Sequence, residues 1–116
     1  MNTQKKQSMQ DKITQVLKAI ADPTRREIFH AVVVAATALS ISQISGQFHI
    51  SRQGVTKHIK NLENAGLIQI NTLGRERYCS ANPKPLQEVQ KWLQFYDTFW
   101  NDSLESLGDY LDNKEV

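Results

Sequence analysis

The stretch Ser40-Ile41-Ser42-Gln43-Ile44-Ser45-Gly46-Gln47-Phe48-His49-Ile50-Ser51-Arg52-Gln53-Gly54-Val55-Thr56-Lys57-His58-Ile59 decides the fold, because it carries two helix starts with one short break between them. Ser40 and Gln43 stand at capping-box spacing: the serine oxygen can accept from the Gln43 backbone N–H while the glutamine side chain reaches back to the Ser40 N–H. The short helix that follows has one apolar stripe, Ile44 and Phe48. His49 and Ile50 leave room only for a brief connection before Ser51, a second good cap. Ile50 and Val55 have the spacing of a hydrophobic staple, which fixes the angle at which the next helix leaves. That helix turns Val55, Ile59 and Leu62 inward and stops where Ala65-Gly66 supplies a C-terminal glycine.

Downstream, Leu67 to Asn71 is apolar and β-branched, Gly74 punctuates, and Arg75 to Ser80 returns, which predicts a two-stranded hairpin. Asn82-Pro83-Lys84-Pro85 breaks the chain before a last helix from about Leu86 to Leu111, whose apolar positions 86, 89, 93, 96, 100, 104, 107 and 111 form one sustained stripe. Upstream, Asp22 offers a cap oxygen and Pro23 occupies a first helical position, so a helix runs from Pro23 to about Ala36 with Ile28, Phe29, Val32 and Val33 inward. Before it, Ile13, Val16, Leu17 and Ile20 give an amphipathic helix from Asp11. Met1 to Gln10 is polar and aperiodic and is read as a disordered arm. The order is helix, helix, helix-turn-helix, hairpin, long helix. It predicts a mainly α winged helix-turn-helix, with a two-stranded β wing and N- and C-terminal dimerisation helices, as a single domain over residues 11–116.

Composition agrees with one core and removes whole classes of function. The chain has 116 residues, 40% hydrophobic and 22% charged, with a net charge of only +2. That average hides a basic body and an acidic tail: residues 51–78 carry five bases and two acids, residues 86–116 two bases and seven acids. A positive working face and a C-terminal element with a different task follow. The single cysteine, Cys79, excludes an intrachain disulfide. The most apolar stretch, Ala31 to Leu39, is far short of the roughly 20 residues that span a bilayer, so a cytoplasmic protein with no membrane partner is expected. No phosphate loop, nucleophile elbow or metal-ligand spacing occurs, so neither enzyme activity nor a cofactor is expected.

Around the helix after the tight turn, at 100° per residue, Gln53, Lys57, Lys60 and Asn64 lie opposite the buried stripe, with Arg52 and Thr56 nearer the sides. Glutamine can pair with adenine, lysine or arginine with guanine, and threonine can meet a thymine methyl. A solvated charged face is the bland alternative. Arg75 and Arg77, two apart beside the Gly74 turn, are expected on one side of their strand, gripping phosphates. Together these elements point to double-stranded DNA, with Gln53, Thr56 and Lys57 reading bases, Arg52, Lys60, Arg75 and Arg77 mainly holding the backbone, and Ser51 also among the DNA-binding residues. A winged helix that binds only protein stays open.

Ile20-Ala21-Asp22-Pro23-Thr24-Arg25-Arg26-Glu27-Ile28, Ser51 to Ile59 and Glu63-Asn64-Ala65-Gly66-Leu67-Ile68 resemble the signature segments of ArsR-type bacterial winged-helix repressors, over about residues 16–107. The resemblance implies a homodimeric transcriptional repressor released from its promoter by a signal. Arsenic- and cadmium-type members place a cysteine pair at the start of the third helix, where this chain has Leu39-Ser40-Ile41-Ser42-Gln43-Ile44. Zinc-type members use histidines on the last helix, and residues 86–111 contain none. No metal is therefore expected, and the effector, if one exists, is not readable.

Other singled-out residues have plain expectations. His58 is read as a packed, hydrogen-bonded histidine or phosphate contact, Cys79 as a small buried thiol, and Arg25 and Arg26 as partners of acids or water. The last helix carries six of the nine aromatics, Trp92, Phe95, Tyr96, Phe99, Trp100 and Tyr110, so it is apolar over more than one face's width. An isologous dimer is expected on Ile13, Val16 and Leu17 of the first helix and on Leu86, Val89, Trp92, Leu93, Phe95, Tyr96, Phe99, Trp100, Leu104 and Leu107 of the last. An aromatic small-molecule pocket between paired last helices is the alternative.

Overall fold

A computed structural model describes the backbone of residues 2–114 and the side chains of residues 10–102 and 104–111. The elements are α1 (Asn2–Ala21), α2 (Pro23–Ala35), β1 (Leu39–Ser40), α3 (Ile41–Ser45), α4 (Arg52–Asn64), β2 (Ile68–Leu73), β3 (Glu76–Ala81) and α5 (Leu86–Lys114). The helix described at the N-terminus starts at Asn2, not at Asp11, and so includes most of the stretch read as an arm. Gln, Lys and Met are good helix formers, and apolar periodicity reports a buried face rather than helical backbone.

Local chemistry starts each helix where the sequence places it. Asp22 Oδ1 accepts from Arg25 N at 2.9 Å and Pro23 follows it. The Ser40 and Gln43 capping box closes in both directions, at 3.0 and 2.8 Å. Ser51 Oγ accepts from Gly54 N at 3.0 Å. α2 ends on Ala36 in the left-handed region, at φ 55°. Within α2, Ile28, Phe29 and Val32 are buried while Val33, expected inward, is exposed; one helical step rotates it by 100° out of the core.

The core lies where α2, α3 and α4 meet the sheet, with Ile28, Ile44, Val55, Ile59, Leu62 and Leu67 fully buried. The sheet is antiparallel in the order β1-β3-β2, so the expected two-stranded hairpin gains a third strand. Cys79 faces Leu39 on one side and Ile70 on the other. With only two residues, β1 has no period for sequence reasoning to detect. Gly74, at φ 65°, opens the two-residue loop Gly74-Arg75, and Arg75 keeps a negative φ. Glycine at the first loop position is what a type II′ hairpin turn requires.

α5 leaves this body. Its 29 residues reach about 43 Å at 1.5 Å per residue, and it packs chiefly on α1. The radius of gyration is 19.8 Å, against about 13 Å for a globular chain of this length.

Candidate nucleic-acid interface

The Ser51 cap fixes where α4 begins and therefore which residues share its outer face. Val55, Ile59 and Leu62 are fully buried, and Arg52, Gln53, Lys57 and Lys60 are exposed. Thr56 is half-buried and its Oγ1 donates to Arg52 O at 2.9 Å. The hydroxyl proton is thereby occupied inside the helix. Gly54 stands at a close approach: a Cβ there would lie 3.3 Å from Ser51 Oγ, the atom that caps the helix. Glycine at this position leaves the cap undisturbed.

The wing departs from expectation in one respect. Arg75 lies in the turn rather than on a strand, so strand alternation does not align it with Arg77. In the register Thr72 pairs with Arg77 and Leu73 with Glu76, which puts Arg77 and Glu76 on opposite faces. Both arginines are exposed. Among the described residues the one ion pair is Lys91 with Glu88, at 3.6 Å. Arg52, Lys57, Lys60, Arg75 and Arg77 thus keep no described acid within 4.0 Å, and an unneutralised positive surface can recruit anionic backbone.

Three further residues have partners that the sequence did not indicate. Arg25 Nη1 donates to the carbonyls of Lys18 and Ala19, at 3.1 and 3.2 Å, and Arg26 Nη1 donates to those of Ile20, at 2.6 Å, and Ala21, at 3.3 Å. They satisfy the open C-terminal carbonyls of α1 rather than acids, and cations are favoured there by the helix dipole. Two arginines just past the Ala21-Asp22-Pro23 break were the available signal. His58 Nδ1 accepts from Arg25 Nε at 3.4 Å. The Arg25 N–H bond, chiefly, holds the Asp22 carboxyl below its ordinary pKa, helped by the charge of Arg25. Cys79 is fully buried, and desolvation pushes its thiol up from 9.0 to about 11. Among the described residues no three His, Cys, Asp or Glu side chains are grouped to hold a metal ion, and no helix is long and apolar enough to cross a membrane.

The residues expected at a subunit interface divide in two. Ile13, Val16 and Val89 are buried in the chain's own core, which corrects their assignment, and half-buried Leu86 packs against that core. Helix α1 packs against α2, α5 and α4 of the same chain. Leu17, Trp92, Leu93, Phe95, Tyr96, Phe99, Trp100, Leu104 and Leu107 are exposed, with Phe95 at 61%, Phe99 at 59% and Trp100 at 65%. An open apolar groove of about 620 Å³ lies between the end of α1, α2 and the start of α5, lined by Ile20, Phe29, Val33 and Leu86 among others. None of the α5 aromatics lines it.

Residues 20–70 match a family described as a helix-turn-helix domain. The chain is similar to the transcriptional repressor SdpR of Bacillus subtilis, 32% identical over 78 residues, covering 67% of this chain and 84% of that one. It is similar in structure to an ArsR-like transcriptional regulator from Rhodococcus sp. RHA1, with 25% identity and a TM-score of 0.70 over 86% of this chain and 92% of that one. A crystal structure of an ArsR family transcriptional regulator superposes with a TM-score of 0.71 at 27% identity, covering 78% of this chain and 92% of that one. These relatives are regulators of transcription, a class without catalytic activity. The capped α3–α4 turn, the wing and these matches together assign the chain to the ArsR family of winged helix-turn-helix transcriptional regulators.

Proposed function

We propose that the protein is a homodimeric repressor that binds a pseudo-palindromic operator, α4 of each subunit lying in the major groove and each wing on the flanking backbone. One observation carries this reading: five cations on α4 and the wing are exposed with no acid paired to them among the described residues. Gln53 and Lys57 read base edges. Thr56, its hydroxyl proton committed to Arg52 O, offers its methyl group to thymine. Ser51, Arg52, Lys60, Arg75 and Arg77 hold phosphates. Similarity to the repressor SdpR favours repression over activation.

The exposed stripe of α5 supports the dimer. Each large apolar side chain taken out of water gains about 1.5–3 kcal/mol, so a handful on each subunit offsets an association cost of at least about 4 kcal/mol. Two-fold symmetry would then set the reading helices one DNA turn apart, roughly 34–36 Å. Selection of bound sequences from random duplexes tests the proposal. It should enrich an inverted repeat with half-sites one helical turn apart; enrichment of a single unrepeated site, or of none, would contradict it.

A further inference from the structure

We infer that Arg25 is a positioning residue for DNA recognition, locking the orientation of α4 relative to α1 through the imidazole of His58. The inference rests on the DNA-binding reading above and adds what sets the angle of the reading helix.

Arg25 stands in the first turn of α2 and touches three helices. Its backbone N–H closes the Asp22 cap of α2, at 2.9 Å. Its Nη1 holds the last carbonyls of α1, those of Lys18 and Ala19. Its Nε, on a different edge of the same rigid plane, donates to His58 Nδ1 on α4, at 3.4 Å. This is the one hydrogen bond between two side chains among the described residues that ties α4 to another helix. The remaining anchors of α4 within the body, Val55, Ile59 and Leu62, are apolar. Apolar burial is non-directional and sets how deep a helix sits. A hydrogen bond is directional and sets its rotation and tilt. His58 immediately follows Lys57 and lies two residues before Lys60, so rotation about α4 at this point moves both lysines against the DNA. The fork geometry of arginine suits the task, because a lysine ammonium cannot serve α1 and α4 from two edges. At its other end the bond reaches Lys18, beside exposed Leu17, on a helix proposed to meet the partner subunit.

His58→Asn, His58→Leu and Arg25→Lys are compared with the unaltered protein for affinity toward the selected inverted repeat, affinity toward an unrelated duplex, and thermal unfolding midpoint. Asparagine places its Oδ1 close to where the imidazole holds Nδ1, whereas leucine fills the space without an acceptor. Affinity for the inverted repeat should fall about tenfold in His58→Leu and in Arg25→Lys, the scale of one coupled interaction, and by less than about threefold in His58→Asn. Affinity for the unrelated duplex should stay within about twofold in all three, since every phosphate-holding side chain is retained. If His58→Leu binds the repeat as the unaltered protein does, if His58→Asn is as weak as His58→Leu, or if both duplexes lose affinity in parallel with the unfolding midpoint, the inference is wrong. Should His58→Leu fail to fold, the contrast between Arg25→Lys and His58→Asn decides by the same criteria. An unaltered protein that retains no duplex at all overturns the DNA-binding reading itself, an outcome seen before any variant is made.

Discussion

Side chains on α4 divide between those that shape the helix and those free to meet DNA, and the division was partly legible. Gln53, Lys57 and Lys60 follow from counting 100° steps away from Val55 and Ile59, and they are exposed. The partners of Arg25 and Arg26 were half legible: two arginines just past the α1–α2 break were visible, but the angle between the helices that brings the last carbonyls of α1 to them was not. Gln53→Ala should change which sequences are selected from random duplexes while leaving affinity for unrelated DNA within about twofold. Recovery of the same site by both proteins would remove Gln53 from base reading. Cys79 makes a separate prediction. Its thiol is neutral up to about pH 11 in the folded chain, whereas the unfolded chain releases the proton at lower pH. Its contribution to stability is therefore full below the unfolded value and is lost as pH rises toward 11. Native protein at pH 8 should react with iodoacetamide far more slowly than denatured protein; equal rates would contradict the burial.

Elements with local start signals were the readable ones. The Ser40–Gln43 box, the Ser51 cap and Asp22-Pro23 each hold every atom of the signal within three residues, and each forms as the spacing predicts. Strand β1 escaped detection because two residues pair only with a distant strand, and Arg75 was misplaced by a turn one residue longer than the glycine alone suggested. Ser40→Ala removes the cap oxygen of α3 and should cost about 1 kcal/mol, read as a lowered unfolding midpoint. An unchanged midpoint would show the box to be dispensable. On α5, edge-to-face contacts join Trp92 to Tyr96, Phe95 to Tyr96 and Phe95 to Phe99, with ring centroids 5.1–5.5 Å apart. In the proposed dimer such pairs would hold the aromatic surface in shape beforehand, which lowers the ordering cost of association.

Across the whole molecule, charge and apolar surface are segregated. Five exposed cations lie on α4 and the wing, while the acids concentrate on α5, whose exposed stripe extends beyond the body. The net charge of +2 arises because the acidic residues 86–116 offset the positive charge of residues 51–78, of Lys84 and of the first fifty residues. Phe99→Glu with Trp100→Glu, both far from the core, should convert a dimer to a monomer in sedimentation and weaken operator binding by at least about tenfold, because paired half-sites would no longer be bound together. A dimer that survives these substitutions would move the interface elsewhere. The salt dependence of duplex binding tests DNA recognition most directly, measured for the unaltered chain and for Arg75→Ala with Arg77→Ala. Log affinity of the unaltered chain should fall linearly with log salt, and the double substitution should flatten the slope by about one unit for each phosphate the wing no longer holds. A slope near zero in the unaltered chain would contradict DNA binding through α4 and the wing, and a slope unchanged by the substitutions would take the wing out of the interface.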